Sequence, residues 1–368
     1  MKVALVHDYL NQYGGAERVL EALLGIFPDA DIYTLIYSRE RSLGRFHRNL
    51  HKTSLLDLPL TRRNHRPFIP LMPLAMRSLQ ISHPYDLIIS DSAGYAKGIR
   101  HPKGTYHLSY CYTPLRYAWE TDHYFANTAF KTVFRPAFNY LRKWDFEASQ
   151  QPDAFLAVSS FIAGKIRRYY GRKAEVVYPP VDYGRFYFDA RLQPAAGHQD
   201  YYLAVGRLMH YKKFDLVLEG FLELGLPLTI AGVGPEQGRL RQRAAAAGNI
   251  RFLEAVPDDE LRALYNGAKA FVFPQVEDFG LVAAEAQACG APVIAFREGG
   301  ALEIVHDGVT GVFFDSQTVP SLVEAVRRAE NMRFDRAQIG NLSRRFTLDN
   351  FKQGVISHIP GSILGSRA

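Results

Sequence analysis

Two glutamates, Glu277 and Glu285, stand eight residues apart where a short apolar run, Ala270-Phe271-Val272-Phe273-Pro274, meets the glycine-containing segment 275–286. At 100° per residue, eight positions on one helix leave two side chains about 80° apart. A helix beginning near Phe279 puts Glu277 in the loop before it and Glu285 about one turn in. Both carboxylates then face one bound molecule. The first N–H groups of such a helix lack an intrahelical acceptor and attract an anion or a hydroxyl-rich ligand. Carboxylates accept hydrogen bonds from sugar hydroxyls. The pattern points to a grip on an anionic, polyhydroxylated molecule.

A second constellation precedes it. Val205-Gly206-Arg207 and Lys212-Lys213-Phe214 flank a strand-to-helix turn, and Arg207 and Lys212 are five residues apart. A guanidinium fork and an ammonium point charge suit a diphosphate. Positive charge at a helix start is otherwise mildly unfavourable, so the placement suggests that an anion comes to it. Gly14-Gly15 sits at the first strand-to-helix turn, where glycine lets backbone N–H groups approach a phosphate or sugar. Gly232-Val233-Gly234-Pro235 is equally consistent with a tight turn and with ligand contact. Phe252–Pro257 ends the next strand, where a base stacks or bonds to backbone. Gly299-Gly300 reads as a structural turn, with Glu303 bracing it. Tyr110–Glu120 brings Tyr112, Arg116 and Glu120 to a strand end, or else packs as an aromatic core. No Gly-x-Ser-x-Gly, His-Glu-x-x-His, phosphate-binding Walker loop or spaced Cys/His set occurs in the sequence.

These residues need strands to deliver them. Apolar runs at Val3–Val6, Asp31–Tyr37, Tyr85–Ser90, His107–Tyr112, Ala154–Val158 and Glu175–Tyr178 alternate with helical periodicity. A second alternation runs through strands Tyr201–Val205, Leu226–Ala231, Asn249–Leu253, Ala270–Phe273 and Pro292–Phe296, with helices at Phe214–Leu222, Asp258–Asn266 and Gly280–Cys289. Strand–helix alternation predicts parallel sheets covered by helices. Residues 179–200 carry Pro179, Pro180, Gly184, Pro194 and Gly197 without a period, which reads as a linker. The fold class is therefore α/β, with two Rossmann-like doubly wound domains facing across a cleft. Ligand binding is expected outside the carboxyl ends of the strands.

The 368 residues suit two domains, and 47% hydrophobic content supplies their cores. Cys111 and Cys289 are too few for a disulfide framework and imply reduced thiols. Met1–Asp8 is a short apolar strand without the length of a signal-peptide core, and no apolar stretch is long enough to span a membrane. The expectation is a cytoplasmic protein. The net charge of +7 is uneven: residues 1–185 carry 25 Lys/Arg against 16 Asp/Glu, and residues 186–368 carry 19 against 21. Between 39 and 77 there are nine basic residues and two acids, interleaved with Leu55, Leu58, Leu60, Leu71 and Leu74. That composition fits a surface lying on anionic lipid, or a solvated basic loop. No nucleic-acid motif accompanies the charge.

Taken in order, Gly14-Gly15, Gly206-Arg207…Lys212, Gly232…Gly234-Pro235 and Glu277-x7-Glu285 with Phe279-Gly280 inside it resemble the retaining, nucleotide-sugar-dependent glycosyltransferases of family 4 (glycosyl transferases group 1), which have the GT-B fold. The resemblance covers essentially the whole chain. Within the family, Glu277-Asp278-Phe279-Gly280 and Glu285–Gly290 look most like bacterial GDP-mannose-dependent mannosyltransferases of polysaccharide and O-antigen assembly. The resemblance implies domains at 1–183 (acceptor) and 184–345 (donor), with 346–368 crossing back to the first. It implies Arg207 and Lys212 on the donor diphosphate, Glu277 with the N–H groups of Phe279, Gly280 and Leu281 on the sugar, and Glu285 on the ribose. Gly14 and Gly15 approach the diphosphate, and backbone from Glu254 to Val256 meets the base. Tyr112 stands where relatives often have a sugar-contacting histidine; it donates a hydrogen bond but cannot become cationic near neutral pH. Tyr112 and Arg116 are the candidate acceptor or donor-sugar contacts. Glu254 replaces a common glycine and Val233 a common aspartate.

The implied function is metal-independent, retaining transfer of a hexose, mannose from GDP-mannose being favoured, to a lipid-linked saccharide at the inner face of the cell membrane. No cofactor beyond the nucleotide-sugar co-substrate is implied. A UDP-sugar transferase on the same fold, a nucleotide-sugar epimerase and a non-catalytic membrane-associated scaffold are the alternatives.

Overall fold

A computed structural model describes residues 1–121, 128–192, 201–254 and 256–365. It contains two compact units, Met1–Pro179 with Phe351–Ala368, and Pro180–Asn350. The divisions fall at 179/180 and 350/351, against 183/184 and 345/346 read from the sequence.

The first unit is built on seven strands: β1 (Val3–Leu10), β2 (Asp31–Tyr37), β3 (Leu50–Thr53), β4 (Leu87–Ser92), β5 (Tyr106–Cys111), β6 (Ala154–Ala157) and β7 (Glu175–Val176). They form one parallel sheet in the order β3-β2-β1-β4-β5-β6-β7. The order reverses beside β1, where the register pairs His7 with Asp91. Central strands are buried on both faces, which is why they read as continuous apolar runs. Helix Gly15–Ile26 follows β1 and buries Val19, Leu20 and Leu23. Ser159 caps helix Ser160–Tyr170, its hydroxyl accepting from Ile162 N at 3.1 Å.

The second unit carries β8 (Tyr202–Val205), β9 (Leu228–Ala231), β10 (Ile250–Leu253), β11 (Phe271–Phe273), β12 (Val293–Phe296) and β13 (Gly311–Phe314), all parallel, in the order β10-β9-β8-β11-β12-β13. Helices Phe214–Leu224 and Val319–Glu330 cover one core, with Val217, Phe221, Leu322 and Val326 buried against Ile230 and Val312.

Two strands escape the sequence reading. β3 is a four-residue edge strand with His51 and Lys52 exposed. β13 opens on Gly311, where a Cβ would lie 2.0 Å from Val293 O; glycine in a strand marks such a close backbone approach. The proposed linker is also corrected. Its described part, 180–192, packs onto the second unit: Val181 and Phe186 are buried, Arg185 pairs with Asp258 at 2.7 Å, and Asp189 N donates to Asn266 Oδ1 at 2.9 Å. Residues 193–200 lie outside the described residues. Both cysteines are buried and unpaired, and burial pushes the Cys111 thiol up to about 12. Among the described residues no helix is long and apolar enough to cross a membrane.

The helix Leu348–Ser357 returns the chain to the first unit. Phe351 and Val355 are buried, Phe351 packs edge-on to Tyr110 at 5.5 Å, and Tyr106 Oη donates to His358 O at 3.3 Å. Truncating Phe351 to Ala removes a ring from this core and should cost about 3–5 kcal/mol. Chemical denaturation of the full chain should show the first unit's transition shifted to lower denaturant.

Candidate active site

In the second unit the turns after β8, β9, β10 and β11 emerge along one carboxyl edge. Their backbones are stitched together: Gly206 N donates to Ala231 O at 3.0 Å, Gly232 N to Leu253 O at 2.9 Å, and Leu208 N to Val233 O at 2.9 Å. A Cβ on Gly232 would sit 1.9 Å from Gly206 O, and one on Gly234 2.4 Å from Leu208 O. No side chain fits there, so Gly232 and Gly234 are required by packing, whatever else they touch. The turn after β8 then reverses through Lys213, a non-glycine residue at φ 56°. Such a left-handed residue costs on the order of 1 kcal/mol and is held by its surroundings. Lys212 precedes it and Phe214, buried, starts the next helix.

Lys212 Nζ lies 2.6 Å from Glu277 Oε1, with the two side chains 14% and 20% exposed. The loop holding Glu277 is clamped by the Gly299–Gly300 turn: Gly300 N donates to Glu277 O at 2.8 Å, and a Cβ on Gly300 would meet Phe279 O at 2.1 Å. This glycine pair is a structural turn. Phe279 is buried against Phe346, ring centroids 5.3 Å apart. Gly280, at φ 102°, caps helix Leu281–Ala288, and a Cβ there would strike the Phe273 ring at 2.7 Å. Glu285 follows about one turn into this helix and is 5% exposed. The first N–H groups of the helix, at Leu281 and Val282, have no acceptor within it. Arg207 is exposed; its carbonyl accepts from Met209 N at 2.8 Å, and its side chain makes no hydrogen bond or ion pair among the described residues.

Lys212, Glu277, Gly280, Leu281 and Glu285 are thus carried by two adjacent strand ends, β8 and β11, which pair at Leu203 and Phe271. Glu254 behaves otherwise. Its carboxylate accepts from Gln237 Nε2 at 2.8 Å and Arg241 at 3.3 Å, on helix Gln237–Arg243. Val256 is half-buried ahead of helix Asp258–Gly267, and Ala255 between them lies outside the described residues. Glu303 lies within helix Ala301–Ile304, whose end Arg345 caps through the carbonyls of Glu303 and Ile304.

The first unit holds a cluster that sequence reasoning missed. His7, in β1, places Nδ1 3.0 Å from Asp91 Oδ2, in β4, and Nε2 3.8 Å from Glu17 Oε1. All three are buried. Glu17 Oε2 accepts from Gly14 N at 2.7 Å, so the Gly14–Gly15 turn hangs on this carboxylate. A Cβ on Gly14 would meet only Glu17 Oε2, at 3.4 Å, so packing does not demand glycine there. The Tyr112 hydroxyl donates to Ala16 O at 3.1 Å, and burial raises its phenol pKa well above the usual value. Arg116 starts the short helix Arg116–Trp119, and Glu120 pairs with Lys165 at 2.5 Å. The signal in the sequence was there: polar His7 and Asp91 directly follow the runs Val3–Val6 and Leu87–Ser90, with Glu17 three residues past Gly14.

Burial alone opposes a charge on His7, but Asp91, assisted by Glu17, outweighs it and raises the imidazole well above its ordinary 6.5. His107 is the reverse: buried and without a carboxylate partner, it is held down to about 3. For a raised group, the stabilisation is complete below the unfolded value and lost as pH climbs through the folded one. His7→Gln should therefore lower the melting temperature most near pH 6. The gap from the wild-type protein should narrow as pH rises above 6.5 toward the raised folded value; thermal melts from pH 6 upward read it directly.

Comparisons with known proteins bear on the family and the fold. The glycosyl transferases group 1 family matches residues 189–346, and Glycosyltransferase Family 4 matches residues 13–185. The chain belongs to glycosyltransferase family 4. It is 32% identical over 231 residues to a GDP-mannose-dependent alpha-(1-6)-phosphatidylinositol monomannoside mannosyltransferase of Mycolicibacterium smegmatis, covering 54% of this chain and 59% of that one. It is 30% identical over 243 residues to a D-inositol 3-phosphate glycosyltransferase of Segniliparus rotundus, covering 58% and 54%. The matched stretch thus spans little more than half the length of these curated relatives. Among solved structures, Anabaena Alr3699/HepE in complex with UDP superposes with a TM-score of 0.68 at 17% identity, covering 97% of this chain and 99% of that chain. WaaG, a glycosyltransferase involved in lipopolysaccharide biosynthesis, superposes at 0.67 and 14% identity, covering 98% and 100%. At that identity the likeness concerns the fold, which is GT-B: two parallel-sheet α/β domains.

Proposed function

We propose that this family 4 protein is a glycosyltransferase that moves a hexose, mannose from GDP-mannose, onto a lipid-linked saccharide, with retention of configuration. The observation that carries the reading is the pairing of Lys212 with Glu277, with Arg207 exposed earlier in the same turn after β8. One anion-binding pair and one hydroxyl acceptor stand at adjacent strand ends, as a sugar diphosphate requires. The mannose assignment draws on the name of the mycobacterial relative; a UDP-sugar donor is the second reading, favoured by the UDP complex of a structural neighbour.

Departure of a nucleoside diphosphate builds negative charge on the leaving oxygen. Arg207 and Lys212 neutralise that charge, which is the role a metal ion plays elsewhere. Glu277, with the N–H groups of Phe279, Gly280 and Leu281, orients the sugar. The Glu285 carboxylate holds the ribose hydroxyls, and the turns at Gly14-Gly15 and Glu254–Val256 serve the diphosphate and the base. Tyr112 and Arg116 remain the candidate sugar contacts of the first unit. The bond from the anomeric carbon to the diphosphate breaks as the acceptor hydroxyl attacks from the same face. The departing phosphate oxygen takes the acceptor proton. The transition state has oxocarbenium character.

The acceptor and the membrane enter through the first unit. Leu55, Leu58, Leu60, Leu71 and Leu74 are 45–64% exposed, beside Arg63, Arg66 and Arg77. Arg45 and Arg62 are taken up by Glu21 and Asp57, so the remaining cations are the ones available to lipid. This supports a peripheral position on the inner, cytoplasmic face of the membrane. The protein should co-sediment with anionic phospholipid vesicles, less so at high salt, and not with neutral ones. Leu58→Ser combined with Leu60→Ser should weaken that binding by roughly tenfold; equal sedimentation with both vesicle types would remove the lipid reading.

For the donor, thermal shift against GDP-mannose, UDP-glucose and an ADP-sugar should single out one base, since a bound ligand raises the melting temperature by mass action. With that donor, Lys212→Ala should reduce turnover by roughly 10²–10³-fold. An unchanged rate would sink the diphosphate assignment.

A further inference from the structure

Glu277 is proposed above as the acceptor for sugar hydroxyls, yet in the structure its carboxylate already occupies Lys212. Oε1 stands 2.6 Å from Nζ, and both side chains are largely withdrawn from water. Any phosphate oxygen that approaches Lys212 meets a second anion at hydrogen-bond range. The backbones that carry the two side chains are fixed: Glu277 is pinned through its carbonyl to Gly300 N, and Lys212 is followed by the left-handed Lys213. The exposed Arg207 side chain carries no such internal counter-ion among the described residues.

Building on the donor reading, we infer that Glu277 is an internal competitor for the diphosphate as well as a sugar contact, and so sets the preference for the intact nucleotide sugar over the spent nucleoside diphosphate. A bare nucleoside diphosphate brings charge to Lys212 and nothing to Glu277. It must share the ammonium with the carboxylate at the cost of anion–anion repulsion, which is strong where water is scarce. A nucleotide sugar brings hydroxyl donors to the same carboxylate. Those bonds draw the carboxylate's lone pairs toward the sugar and reduce its hold on the ammonium, so the repulsion is offset only while the sugar is attached. Once transfer removes the sugar, the offset disappears, Glu277 reclaims Lys212, and the product is released. Specificity here is a difference of two affinities, enforced by a repulsive element as well as an attractive one.

The test is Glu277→Gln, an isosteric change that keeps the hydrogen-bonding shape and removes the charge. Titration calorimetry of the full chain with GDP and UDP, and with GDP-mannose and UDP-glucose, gives the four dissociation constants. The variant should bind the relevant nucleoside diphosphate roughly three- to tenfold more tightly than the wild-type protein. Its nucleotide-sugar affinity should stay level or fall, so that the preference for intact donor collapses and product inhibition deepens. Melting temperatures of all variants check that they fold; should Glu277→Gln fail to fold, Glu277→Ala, which also lifts the charge, serves for the nucleoside diphosphate comparison. If the wild-type protein binds nucleoside diphosphate but removal of the Glu277 charge leaves that affinity unchanged or weaker, the competitor role is wrong and the donor reading stands. If the wild-type protein binds none of the four ligands, the donor reading itself falls, and the inference with it.

Discussion

Backbone touching backbone is the constraint on which the second unit's candidate site depends. At Gly232, Gly234, Gly299 and Gly300 a single Cβ would lie 1.9–2.5 Å from a carbonyl oxygen of the neighbouring turn. These turns are therefore pressed together with no side-chain layer between them. Interiors packed at such density transmit position rather than absorb it. That is why Glu277 and Lys212, on separate turns, meet at 2.6 Å. A looser edge built from longer side chains would let either drift by an ångström. The glycines do not themselves need to touch any ligand to matter for the chemistry.

The first unit solves a comparable problem by charge. Its Gly14–Gly15 turn is tied to Glu17, Glu17 faces His7, and His7 is held by Asp91 across the β1–β4 pair. Buried ions cost several kcal/mol each unless they are paired. Here one cation serves two carboxylates, and among the described residues Asp91 Oδ1 has no hydrogen-bond partner. The arrangement therefore keeps an excess of negative charge beneath a turn whose Gly14 N–H is already taken by Glu17. Asp8 is buried beside it, but its oxygens accept from Ala93 N, Tyr95 N and Ala96 N, which gives it a purely local duty in shaping the turn after β4.

Much of this was legible in the sequence because burial on both faces writes long apolar strands. β2 and β6 to β12 can be located within a residue or two, and the helix start after β11 is marked by Gly280. What stayed hidden has a physical reason. β3 is half exposed and polar, so it has no hydrophobic pattern to betray it. β13 begins with a glycine that looks like a breaker but is there because β12 passes too close for a side chain. The Pro- and Gly-rich stretch after Pro179 looks like a linker because composition reports backbone stiffness, while Val181 and Phe186 report burial. Pairings such as Lys212 with Glu277 join residues 65 apart, and His7 with Asp91 joins residues 84 apart. No local spacing rule encodes such distances; parallel sheet order does.

The return of the chain at Phe351 has a consequence for how the protein is made. Tyr110 and Val177 are translated before the second unit, but the helix that packs on them, with Gly354 close against Val177, is translated only after it. Some 170 residues of the other unit are translated in between. At ordinary elongation rates of about 5–20 residues per second, the nascent first unit waits roughly ten to thirty seconds with an apolar groove open. The second unit has no such debt, since it is one continuous segment, Pro180–Asn350. During synthesis the order of completion is thus inverted: the unit begun first is finished last, and its unfilled groove is the surface that chaperones would meet.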